Sequence, residues 1–233
     1  MPSAVKVPQN NPALDGLSGD RTPAAPASTA PEPTGGGGTA LLAGDEALAS
    51  APHSIERDTG LSDDESRALR NYRSITYSGI NRRLRSGNTD INDKADEAQQ
   101  RAIDGIDSAM SASQLPQPVE TYRGVFDEGN MFGGRLAGDM TGMEWREDAY
   151  MSTTVDLNVA EGFSDDGDGA VLMHITVPAG TGAVQLSSAS GGNTVHAEAE
   201  LLLQRGLRLR VVADRGVDSN GIRRLDVEVI PGG

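Results

Sequence analysis

The sequence predicts an α+β domain, and three observations carry that prediction. A capped segment with helical periodicity begins near Leu61, and a second follows it. After Pro118 the character becomes β, as a series of short apolar runs separated by Gly-, Pro- and Ser-bearing turns. Helices grouped ahead of strands, rather than alternating with them, point to helices packed on a β core.

Ser62-Asp-Asp-Glu65 has the spacing of a capping box, with acidic residues in the first turn. Leu69, Tyr72, Thr76, Ile80 and Leu84 then recur at helical spacing, and Ser86-Gly-Asn88 closes the segment. A second helix is expected from about Ile91 to Met110, with Ile91, Ala95, Ala98, Ala102, Ile106 and Met110 as its stripe; Gln114-Leu-Pro-Gln-Pro118 stops it. Glu120–Phe126 reads as a strand, residues 127–143 as a loop, and Trp145–Thr154 as containing another strand. Asp156 caps a short helix through Ala160 to Phe163, and Ser164-Asp-Asp-Gly-Asp-Gly169 is an acidic turn. Ala170–Val177, Ala183–Leu186, Glu200–Leu203, Leu207–Ala213 and Arg223–Ile230 complete the strands, with Ser187–Thr194 as a Ser/Gly-rich loop.

Residues 1–58 differ in kind. They hold eight of the twelve prolines and none of the eight aromatic residues, which all lie between Tyr72 and Phe163. Such a segment has little apolar surface to offset its ordering entropy. It is expected to be a largely disordered Pro/Ala/Gly-rich tail and linker, leaving 59–233 as the folded domain. The net charge of −14 argues against non-specific nucleic-acid binding, which needs cations to neutralise phosphates. There is no cysteine, and His53, His174 and His196 have no ligand spacing, so no metal site is expected. No apolar run is long enough to span a bilayer, and the first residues lack the apolar core of a secretory signal.

His196-Ala-Glu-Ala-Glu-Leu-Leu-Leu-Gln-Arg-Gly206 contains the sharpest local pattern. In a regular strand Glu198 and Glu200 point to one face, two like charges side by side at the entrance to an apolar run. Three other segments accompany it: Tyr122-Arg123-Gly124, Tyr150-Met-Ser152-Thr-Thr154 and Phe163. In this order they resemble the R-S-E class of mono-ADP-ribosyltransferases, most closely the catalytic domains of actin-modifying binary toxins and related bacterial exotoxins. Val177-Pro-Ala-Gly-Thr-Gly-Ala183 resembles a turn of that group. Tyr72, Tyr77, Asn81 and Leu84-Arg85 resemble the helix pattern that lines its NAD pocket. The resemblance covers about residues 61–230.

The resemblance implies a fold of amino-terminal helices on a two-sheet β core, and NAD as a substrate without a metal. It assigns Glu200, Glu198, Ser152 and Arg123 to catalysis, and Arg123, Ser152, Phe163, Tyr72, Tyr77, Asn81 and Gly124 to NAD. Arg is the residue type that forks to phosphate oxygens. A fixed carboxylate suits the oxocarbenium character that develops when a glycosidic bond breaks. In the family, Glu at the position of Glu198 goes with arginine acceptors. The chain departs from its relatives at Gly124, where the binary toxins carry a second Arg. It departs again after Phe163, where Ser164-Asp-Asp-Gly-Asp168 replaces a phosphate-reaching Arg, and before Glu198, where the usual aromatic is missing.

The implied function is NAD-dependent mono-ADP-ribosylation of a protein arginine, by a monomeric secreted effector or toxin acting in the cytoplasm of a target cell. The alternatives are an NAD glycohydrolase and a catalytically inactive NAD- or partner-binding module of the same fold.

Overall fold

The computed structural model describes residues 40–57, 59–126, 132, 136, 138–164, 169–186 and 199–232, all within the compact unit Gly38–Gly233. The first elements are a correction to the sequence reading. Residues 44–54 were expected in the tail, yet they form helix α1 (Gly44–Ser50) and the short strand β1 (His53–Ser54). Ala47 and Leu48 are buried in the main core. Two apolar side chains on a short helix are too faint a pattern to stand out beside the neighbouring Pro-rich composition.

The capping box forms as expected. Ser62 Oγ accepts from the Glu65 backbone N–H, and Glu65 accepts from the Ser62 N–H, opening α2 (Asp63–Asn71). The single helix expected through Ser86 is interrupted by a π-helical turn at Tyr72–Thr76 before α3 (Tyr77–Ser86). The cause is local. The hydroxyls of Ser74 and Thr76 both donate to the Asn71 carbonyl, at 2.9 and 2.8 Å, and compete with the regular backbone ladder. Gly87, at φ 65°, ends α3.

Helix α4 runs Lys94–Ala112, starting later than expected because Asp93 caps it through the Ala95 and Asp96 N–H groups. Ile91 is consequently exposed, as are Ala95 and Ala98; Ile103, Ile106, Ala109 and Met110 form the buried face.

The strands are β2 (Val119–Phe126), β3 (Glu144–Glu147), β4 (Met151–Thr154), β5 (Ala170–Val177), β6 (Ala183–Gln185), β7 (Glu200–Leu203), β8 (Leu207–Val217) and β9 (Arg223–Val229). Helix α5 (Leu157–Phe163) lies between β4 and β5, capped by Asp156 as expected. The strand expected within 145–154 is two. Glu147 folds its carboxylate back onto the Ala149 N–H at 3.0 Å, and β3 and β4 then pair with different neighbours, β8 and β7.

Among the described residues the strand order is β1-β6-β7-β4-β2-β5-β9-β8-β3. Strand β2 pairs with β5 along its whole length, Val119↔Val177 to Phe126↔Ala170, but meets β4 only at Tyr122↔Thr154. The two sheets are thus one hydrogen-bonded array that forks at a single residue pair. Leu201 and Leu203 face the main core between the sheets, with Val171, Met173 and Ile175. Leu202 faces the helices, with Leu69, Ile80, Ile106 and Tyr150. Burial on both faces explains why β7 is a continuous leucine run rather than an alternating one.

Candidate active site

The fork positions the site. Thr154 is in register with Tyr122 on one side and Glu200 on the other, so one row of residues crosses from β2 through β4 to β7. Arg123 and Ser152 flank that row. The Arg123 guanidinium donates to the Ser152 carbonyl at 2.5 Å. Burial pulls Arg123 below its ordinary pKa, and the nearby Glu147, Tyr72 and Glu200 oppose the shift. An arginine so placed remains charged at neutral pH, because its ordinary value lies so high.

Tyr72 comes from the π-helical turn and is buried. Its hydroxyl accepts from Asn81 Nδ2 at 2.9 Å. Burial raises the phenol pKa, against the lowering effect of hydrogen bonds with Asn81 and Ser152. Tyr72 meets Tyr77 edge-on at 6.4 Å and Tyr150 at 5.7 Å, which fixes the ring between α3 and β4. Tyr77 itself is exposed.

A cleft of about 620 Å³ opens at this point, a size typical of ligand sites. Tyr72, Tyr77, Arg123, Gly124, Ser152, Phe163 and Glu200 all line it. A second cleft of about 660 Å³ shares Tyr77, Arg123 and Ser152, and adds Ser78, Asn81, Arg82, Arg85 and Ser86. Glu200 is 8 % exposed in spite of its charge, whereas Phe163 is 57 % exposed and presents its ring at the end of α5. Gly124 allows that placement: a Cβ there would meet the Ala160 carbonyl oxygen at 2.0 Å and the Ser164 nitrogen at 2.8 Å. Thr153 donates to the Leu201 carbonyl at 2.7 Å, which ties β4 to β7 beneath the cleft.

Of the residues singled out from sequence, the structure brings Arg123, Gly124, Ser152, Phe163, Tyr72, Tyr77 and Glu200 to the first cleft and Asn81 to the second. Glu198, His196, residues 165–168 and the loop 187–194 lie outside the described residues. The same-face expectation for the two glutamates involves Glu198 and so lies outside the described residues. Strand β7 begins at Glu200, and Ala199 before it has a left-handed φ of 45°. The sequence reading missed Ile55, Arg70, Arg73 and Arg82 as lining residues. Arg70 and Arg73 flank Tyr72, and Arg82 follows Asn81; adjacency to a singled-out residue within one helical turn was the available signal.

Comparison with known proteins bears on the fold as a whole. The ADP-ribosyltransferase exoenzyme family matches residues 46–230. No curated protein sequence matches the chain. Among solved structures, exoenzyme S from Pseudomonas aeruginosa, in complex with human 14-3-3 protein beta and bound to carba-NAD, is 25% identical at a TM-score of 0.54, covering 72% of this chain and 74% of that one. C3stau2 from S. aureus with NAD is 22% identical at a TM-score of 0.60, covering 83% and 99%. BECa, an ADP-ribosylating toxin of a binary enterotoxin of C. perfringens, with NADH, is 21% identical at a TM-score of 0.56, covering 73% of this chain and 44% of its own longer chain.

Proposed function

The chain belongs to the ADP-ribosyltransferase exoenzyme family, and we propose that it transfers ADP-ribose from NAD to an arginine of a target-cell protein, as a secreted bacterial effector. The observation that carries this is the meeting of Arg123, Ser152 and Glu200 in one cleft with Tyr77 and the exposed Phe163. NAD or its analogues occupy exoenzyme S, C3stau2 and BECa.

In this reading Phe163 stacks on the nicotinamide ring, and the fixed cation of Arg123 supports the ribose and the adjoining phosphate. The bond between nicotinamide nitrogen and ribose C1′ breaks, and its electron pair leaves with nicotinamide. The ribose then carries oxocarbenium character, which the Glu200 carboxylate stabilises while accepting the 2′-hydroxyl hydrogen. An acceptor guanidine nitrogen attacks C1′, forms the new C–N bond and gives its proton to Glu198. Ser152 holds the constellation together through Tyr72 and Arg123.

Labelled NAD, a lysate of eukaryotic cells and the full chain test this. Wild type is expected to label a protein and release nicotinamide, with the label lost in hydroxylamine. Glu200→Ala should reduce both by about 10²–10³-fold, the effect typical of losing one preorganised electrostatic group. Glu198→Gln should reduce labelling more than nicotinamide release. Release without labelling would establish a glycohydrolase, and neither activity would establish a binding module.

A further inference from the structure

Helix α5 carries Phe163, yet little apolar surface holds it down. Among its residues Ala160 is the buried one, in a small cluster with Ala170, Leu172 and Ile222. One row of residues crosses three strands beneath it: Gly124 of β2 is in register with Leu172 of β5, and Leu172 with Arg224 of β9. The helix rests on all three. Ala160 lies over Gly124 and shares the cluster with Leu172. Arg224 Nη2 donates to Glu161 Oε1 at 2.9 Å. Arg224 is itself held. Its Nε donates to Asp218 Oδ2 at 2.8 Å. Asp218 Oδ1 accepts from the Asn220 and Ile222 N–H groups, at 2.9 and 3.1 Å, in the turn between β8 and β9. The planar guanidinium therefore reaches α5 with its own orientation already fixed.

Successive residues of an α-helix are turned by roughly 100°. With Ala160 on the sheet side, Glu161 lies roughly 100° round one flank, and Val159 and Phe163 lie roughly 100° and 60° round the other. The cleft lining follows this division: Val159, Ala160 and Phe163 belong to it. A roll of α5 about Ala160 would carry Phe163 into or away from the cleft, and the Glu161–Arg224 bond on the opposite flank resists that roll. We propose that Arg224 is a positioning residue for the nicotinamide half of NAD, fixing the roll of α5, and hence the Phe163 ring, through Glu161. This inference rests on the NAD reading above. Both side chains of the pair are more than a third exposed, so the bond adds little to global stability. Its effect is on where the helix presents its aromatic ring.

Steady-state NAD cleavage by the full chain, read as nicotinamide release, tests the assignment. Phe163→Ala sets the reference and is expected to raise the KM for NAD about two- to tenfold, the loss of one aromatic stacking contact. Arg224→Gln and Glu161→Gln should each raise KM with little change in kcat, the signature of lost ground-state binding. Both should leave the thermal midpoint unchanged. Arg224→Lys should recover part of the loss. Arg224→Gln should add nothing in a Phe163→Ala or Glu161→Gln background, because all three act through one contact. Calorimetric titration with ADP-ribose, which lacks the nicotinamide, should give wild type and Arg224→Gln the same Kd. If Phe163→Ala raises KM and Arg224→Gln does not, or if their effects add, or if ADP-ribose is weakened too, the assignment of Arg224 is overturned while the NAD reading stands. If wild type cleaves no NAD, or Phe163→Ala leaves KM unchanged, the NAD reading of the cleft fails and the assignment falls with it.

Discussion

Position 124 shows how one side-chain hydrogen governs the site. A Cβ would sit 2.0 Å from the Ala160 carbonyl oxygen, so Gly124→Ala must push α5 away from β2. The backbone of α5 cannot yield as a flexible side chain would. Overpacking of this kind costs about 1–3 kcal/mol. The expected result is a lower thermal midpoint together with a raised KM for NAD, because Phe163 rides on the displaced helix. An unchanged midpoint and KM would show that α5 adapts without loss. The residue was read from sequence as an NAD contact; it lies on the cleft wall, and the close helix approach depends on three-dimensional packing that no local pattern encodes. Arg82 was missed for a similar reason. Its neighbours Arg83 and Arg85 bond Asp96, the Asp90 carbonyl and Glu147, and Glu147 is distant in sequence.

Among the elements, α2 carries a carboxylate with two tasks. Glu65 Oε2 accepts from the Ser62 N–H and hydroxyl at 2.8 Å each, and Oε1 accepts from the Ser108 hydroxyl of α4 at 2.6 Å. The Ser108 bond, then the Ser62 N–H, holds the Glu65 carboxyl below its ordinary pKa. A depressed carboxyl contributes stability that is complete above its unfolded value, near 4.3, and is lost as the pH falls through the folded value. Ser62→Ala should cost about 1 kcal/mol in urea unfolding. The gap between wild type and Glu65→Gln should narrow as the pH is taken down through about 4, and a gap independent of pH would refute the assignment. The capping box was legible because it is purely local. The π-helical turn after α2 was not, since serine and threonine at 74 and 76 also fit an uninterrupted helix, and only their bonds to the Asn71 carbonyl mark the break.

For the whole molecule, the boundary of the folded unit yields the clearest test. The buried side chains of the main core begin at Ala47, and β1 pairs with β6 through His53↔Val184 and Ser54↔Gln185. Removing residues 1–39 should leave the thermal midpoint within a degree or two, whereas removing residues 1–58 strips α1 and β1 and should lower it sharply or abolish folding. Equal midpoints for the two truncations would return the boundary to residue 58. The strand set was largely legible, because an apolar run such as Ala170–Val177 declares itself, but the fork at Tyr122↔Thr154 joins residues 32 positions apart and has no local signature. Ala199 holds a left-handed backbone at the head of β7. Glu200 is locked by sheet register to Thr154, and Ala199 marks where that register begins. Ala199→Val would therefore strain the chain at the point where the strand that carries Glu200 begins, whereas Ala199→Gly would relax it.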